Sequence, residues 1–198
     1  MGFFKRNSYE IVRLYIYQIG ITIFSLALYT AVGTIEDTAS FNLSRIAVSV
    51  FAYGFYLFLV YYGLWEVGAK DKIRIDGGKG SPEPLKGILL SLFSNVPNLV
   101  LALLSLVFVV IFRFSGAEGI KSVFIVFYII LRFHSSIFMG FIGGVTKDIE
   151  DATSIPYIND CILECSLYLI IPLLTVAFGH FAYTMGTKER KLFGKTNK

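Results

Sequence analysis

Residues 85–112 read LKGILLSLFSNVPNLVLALLSLVFVVIF, from Leu85 to Phe112, and Lys86 is the one charge among them. A helix rises about 1.5 Å per residue, so this stretch would be about 42 Å long against a hydrocarbon slab of about 30 Å. Its residues are apolar all round, with no alternation of period two, which excludes a strand of a transmembrane β-barrel. Backbone groups in lipid must be satisfied within the segment, so a helix is what remains. Four other stretches read the same way: 11–33, 46–67, 120–145 and 166–186. The fold class expected is therefore all-α: a polytopic transmembrane helical bundle of four or five spans, forming a single integral membrane domain over 1–198.

Composition agrees. The 198 residues are 55% hydrophobic and only 16% charged, with mean hydropathy +0.67. Soluble domains carry about 25% charged residues. Disordered chains, disulfide scaffolds and soluble globular domains are excluded on these figures. The net charge of +4 and pI near 9.0 do not call for nucleic acid, because basic residues also gather at the cytoplasmic ends of spans. The partners expected are the lipid bilayer and either another membrane protein or a second copy of the chain. At the start, Lys5 and Arg6 resemble a signal-peptide n-region, but the apolar run from Ile11 to Val32 is too long for an h-region. An uncleaved first span is expected.

The middle of 85–112 holds Asn95-Val96-Pro97-Asn98. Proline removes a backbone donor and breaks helices, so a kinked, broken or re-entrant segment is expected here. The distribution of Lys and Arg bears on this. With five plain crossings, nine lie on the N-terminal side and eight opposite, which is no bias at all. If 85–112 re-enters, the count becomes fifteen against two. If 120–145 re-enters instead, at Arg132-Phe133-His134-Ser135-Ser136, it is thirteen against four. The first alternative is preferred here, because it places Asp148, Glu150, Asp151, Asp160 and Glu164 outside beside Glu36 and Asp37. Either way both termini face the cytoplasm of a cell membrane. Tyr15, Tyr17, Tyr61, Tyr62 and Trp65 flank the first two spans at headgroup level.

The polar connections are short. The segment 68–84 ends in a Gly/Pro-rich loop, Asp76 to Pro84, with Ile73 and Ile75 reading as a brief hairpin arm. No segment has room for a soluble catalytic domain. The tail 187–198 is basic and reads as a topology anchor on anionic headgroups.

Six polar residues form a candidate intramembrane site. Arg132 is the sharpest, since a charge at mid-span costs about 2.5–3.5 kcal/mol and needs a partner or water. Its functional reading is an anion-binding or gating group, with His134 two residues on. Its bland reading is a snorkelling cation, or a pair with Glu66 or a helix-end carbonyl. Glu66 could relay protons, or simply sit at the interface near Lys70 and Lys72. His180 lies deep in the last span, where a lone His is more often a satisfied hydrogen-bonding group. Asn95 and Asn98 could line a solute path through a broken helix, or cap a kink. Ser136, Gly140 and Gly144 recur every four residues as a small-residue face suited to helix packing.

No metal or cofactor is expected. Cys161 and Cys165 supply two thiols, a structural zinc site needs about four ligands, and the only histidines are His134 and His180. Gly194-Lys195-Thr196 lacks the earlier glycine of a phosphate loop, since position 189 is Glu189. No nucleophile elbow or His-Glu-x-x-His pair occurs. An enzyme is thus the weakest reading. A permease-like or accessory membrane subunit comes first, and a self-contained small-solute or ion transporter second. The phrases Trp65-Glu66-Val67-Gly68-Ala69-Lys70-Asp71, Pro84-Leu85-Lys86-Gly87, Asn95-Val96-Pro97-Asn98 and Arg132-Phe133 resemble small polytopic membrane proteins of Gram-positive, clostridial-type bacteria. That likeness implies no activity, so it assigns no residue a role.

Overall fold

The computed structural model describes residues 2–33, 38–142 and 155–189, and within them each apolar segment is helical apart from a break at Ser135. Glu36, Asp37, Gly143, Gly144, Lys147, Asp148, Glu150, Asp151 and the tail from Arg190 lie outside the described residues. The order is α1 (Phe3–Val32), α2 (Thr38–Asp76), α3 (Lys86–Ser115), α4 (Glu118–His134), a 3-10 turn (Ser136–Phe138), α5 (Met139–Ile142) and α6 (Ile155–Thr187). Among the described residues there is no strand, and the fold is all-α. Also among them, four helices are long and apolar enough to cross a membrane: α1, α2, α3 and α6. Large apolar side chains such as Ile16, Phe51, Phe58, Ile129, Phe133 and Leu174 point outward. Apolar side chains exposed in such number are costly in water and are compatible with a lipid environment.

Three expectations are corrected. The break is not at Asn95–Asn98, because α3 is one continuous helix with Pro97 inside it. It falls in the other candidate stretch. α4 and the 3-10 turn with α5 are bent by 76°, and Ser135 between them has non-helical φ −105°, ψ 24°. Proline forfeits a single bond in α3, whereas Ser135, Ser136 and their neighbours find side-chain partners outside their own helix, described below. Second, 68–76 is helix, not loop or hairpin arm. Ion pairs one turn apart, Lys70–Glu66 at 2.6 Å and Lys72–Asp76 at 2.8 Å, support its polar end. Third, α6 begins at Ile155, well before residue 166. It thereby carries Glu164 into the protein interior.

Contacts between Cα atoms divide the chain into two compact units. Unit 1 comprises 1–18, 55–95 and 173–198, and unit 2 comprises 19–54 and 96–172. Unit 1 thus gathers the N-terminal part of α1, the C-terminal part of α2, the N-terminal part of α3 and the C-terminal part of α6. Its core is Leu14, Tyr56, Leu64, Leu90 and Ala182, all essentially inaccessible. Small residues let its helices touch backbone to backbone. A Cβ on Gly68 would collide with the Tyr183 carbonyl oxygen, and one on Gly186 with that of Trp65. Unit 2 packs Ala52, Ala102, Val109, Leu131, Ile137, Phe138 and Tyr168 together.

Candidate functional site

The chemistry of unit 2 centres on a carboxylate that sequence reading placed outside. Glu164 on α6 is completely buried. Tyr128 on α4 donates its hydroxyl to Glu164 Oε2. Arg132, one turn further along α4, brings Nε to 3.7 Å from Oε1 and lies over the Tyr128 ring at 5.6 Å. The i, i+4 spacing sets Tyr128 and Arg132 on one helix face, so a single helix presents both a hydroxyl donor and a cation to the acid. A buried carboxylate needs a counter-charge and hydrogen bonds: Oε2 accepts from Tyr128, while Oε1, which accepts no hydrogen bond among the described residues, faces Arg132. The insertion cost of Arg132 is thus met by Glu164. Glu66 plays no part in it.

In front of this cluster lies a cavity of about 260 Å³. Its wall is mostly apolar, with Val109, Phe112, Phe124, Ile125, Ile129 and Ile158. Arg132 and Lys121 add two cations, and Cys161 a thiol. Lys121 also pairs with Glu118 at 3.6 Å. Cys161 and Cys165 are buried and form no disulfide. No cluster of three or more metal-ligating side chains exists among the described residues.

The break after His134 is stitched by α1 and α3. Thr22 Oγ1 donates to the His134 carbonyl at 3.1 Å. Ser136 Oγ donates to the Thr22 carbonyl at 3.1 Å and shares a 2.8 Å bond with Ser25 Oγ. Ser135 Oγ donates to Asn98 Oδ1 at 3.2 Å. Freed backbone groups in an apolar interior need such partners. Gly140 N–H donates to both Tyr29 Oη (2.7 Å) and Ser49 Oγ (2.8 Å). A Cβ there would strike the Arg45 carbonyl. Ser136 and Gly140 are therefore packing residues within the chain, against α1 and α2.

The other singled-out residues stand elsewhere. Glu66 in unit 1 binds Arg13 (3.0 Å) and Lys70 (2.6 Å), and Arg13 also donates to the Gly63 carbonyl at 2.9 Å. Glu66 is thus engaged by two cations. Asn95 donates to the Ser91 carbonyl of its own helix at 2.9 Å. His180 is half-buried, and its Nδ1 has no hydrogen-bond partner among the described residues. The structure thus joins Arg132 to Glu164, and Asn98 to Ser135 beside the break. Arg132 lines the 260 Å³ cavity, and Asn98 is not among that cavity's lining residues.

Sequence reading missed Glu164, Tyr128, and in unit 1 a partly buried triad. There Lys86 Nζ sits 2.7 and 3.0 Å from the two Asp71 oxygens, and Tyr183 donates to Asp71 at 2.9 Å. A signal for Glu164 existed. Cys161, Cys165, Tyr168, Pro172, Thr175, Gly179, Tyr183 and Gly186 are all buried and recur every three or four residues. Extending that stripe backward from the apolar run puts Glu164 on its inner face.

No family model, curated protein or solved structure matches this chain.

Proposed function

We propose that this chain is a non-enzymatic, multi-pass protein of the cell membrane, permease-like or accessory, whose unit 2 binds an anionic amphiphile. The observation that carries the reading is the cavity in front of Glu164: an apolar wall with Arg132 and Lys121 as its two cations. Its volume lies just below the range of about 300–1,000 Å³ usual for small-molecule sites. It suits an apolar chain whose acidic group meets Arg132. A transporter of polar solutes would want Arg132 and Asn98 on one wetted path, and the apolar lining gives that reading less support. The test uses the full chain in neutral detergent, titrated with decanoate and with methyl decanoate. Decanoate is expected to raise the unfolding midpoint saturably, the ester is not, and R132Q is expected to remove the difference. An equal response to acid and ester would end the proposal.

The topology proposed has four crossings, with α4 and α5 entering and leaving by the outer face. Two facts support it. The basic count is then thirteen inside against four outside. Unit 1 also collects the start of α1 and the end of α6 together with the α2–α3 connection, as alternating antiparallel helices require. Single cysteines replacing Ser81, Ser115 and Lys188 check it by labelling with a membrane-impermeant reagent. Positions 81 and 188 are expected on one side and 115 on the other. Labelling of 188 together with 115 would mean that the bent pair crosses.

A further inference from the structure

A second polar site lies in unit 1, where three helix ends meet. α2 stops at Gly77-Gly78 by a well-defined device. Gly78 takes φ +70°, a left-handed conformation that glycine adopts freely. The Lys79 N–H then bonds the Arg74 carbonyl at 2.9 Å and the Gly78 N–H that of Ile75 at 2.9 Å. This closure satisfies the last carbonyls and turns the chain back over the helix end. Arg74 and Lys79 are thereby placed beside each other. α1 kinks at Asn7, with φ −116° and ψ 16°, and Arg6 reaches Glu83 at 2.5 Å. Lys86, at the start of α3, is 9% exposed and clamped by Asp71.

Arg6, Arg74, Lys79 and Lys86 together line a pocket of about 240 Å³ with Asp71 and Glu83. Four cations against two carboxylates leave a net charge of +2. Arg74 and Lys79 are exposed and have no carboxylate partner among the described residues. Lys86 and Arg6, by contrast, are already oriented by their acids, so little side-chain entropy remains to be lost on binding. The segments involved flank the apolar runs 11–33, 46–67 and 85–112 directly. On the membrane reading proposed above, the pocket lies at the polar end of these runs, on the headgroup side.

We propose that this pocket binds a phosphate-bearing anion, taken either from a glycerophospholipid headgroup or from a free phosphate monoester. Phosphate oxygens accept from several donors at once, arginine engages them in bidentate fashion, and lysine serves as a point charge. A net charge of +2 matches a singly or doubly charged phosphate without leaving surplus acid in contact with it.

The test again uses the full chain. In neutral detergent the probes are inorganic phosphate and glycerol 3-phosphate, compared with chloride at equal ionic strength. In nanodiscs the comparison is phosphatidylglycerol with phosphatidylcholine, read by unfolding midpoint and by native mass spectrometry. R74Q/K79Q touches no carboxylate, so the fold is expected to persist. K5Q/K188Q removes the same two charges from exposed positions outside the pocket. Saturable binding to the unmodified chain is expected, weakened about tenfold or more by R74Q/K79Q, which removes two close charges, and unchanged by K5Q/K188Q. Response to the lipid alone assigns the headgroup, and response to glycerol 3-phosphate as well assigns the free monoester. Equal weakening by both double variants, or no saturable response to any probe, would overturn the site.

Discussion

Replacing Arg132 with leucine is expected to cost about 3 kcal/mol of stability, the low end of the range for breaking a buried ion pair. The low end applies because Arg132 keeps 29% of its side-chain surface exposed whereas Glu164 keeps none. The substitution leaves a carboxylate in an apolar interior without its nearest cation, the Tyr128 hydroxyl still donating to it. E164L strands the cation instead, and Arg132 can relax toward its open side, so the loss is smaller. The double variant R132L/E164L is expected to recover most of the loss. Replacing both partners with apolar groups removes the desolvation penalty along with the attraction. The measurement is a double-mutant cycle on the unfolding midpoint in detergent. A coupling below about 0.5 kcal/mol, the level at which distant sites are additive, would show that the 3.7 Å approach is incidental. Y128F should cost less than either single charge change, since it deletes a donor without exposing a new charge.

The reversal of Glu164 shows where sequence patterning stops. Hydropathy marks a span by its average, and α6 averages well only from about residue 166. Glu164 therefore fell into the polar connection. Its partner is contributed by α4, and no local rule couples residues 132 and 164. Arg132 itself was legible, because one charge in an apolar run is costly wherever it lands. The break was misplaced for a related reason. Proline is a loud local signal, yet inside α3 it costs one hydrogen bond and the helix continues. Ser135-Ser136 is a quiet signal, and it breaks the helix because Thr22, Ser25 and Asn98 stand ready to bond the freed groups. Those residues lie 37 or more positions away in sequence, beyond any window of periodicity. The all-α class, by contrast, needed only composition and the absence of alternation.

Gly186→Leu is expected to abolish accumulation of the folded chain, and Gly186→Ala to destabilise it measurably. At this crossing of α6 with α2 the obstacle is backbone. A Cβ on Gly186 would overlap the Trp65 carbonyl oxygen and crowd the Ala69 amide at 3.0 Å. A flexible side chain could swing aside, but a helix backbone can only move as a rod. Displacing it also disturbs the reciprocal contact of Gly68 with Tyr183, and Tyr183 holds Asp71 in the Lys86 pair. Overpacking typically costs about 1–3 kcal/mol, and alanine here belongs at the upper end because neither neighbour can rotate away. In lipid, helices gain little from burying apolar surface and rely on close van der Waals contact, so a lost approach has no hydrophobic substitute. The control is Gly20→Ala, whose added Cβ meets nothing within 4 Å. It is expected to be neutral or to stabilise by up to about 1 kcal/mol, as alanine is the better helix former. Yield and monodispersity in detergent, followed by the unfolding midpoint, distinguish the two. Equal behaviour of Gly20→Ala and Gly186→Ala would mean that the α2–α6 crossing is looser than its geometry requires.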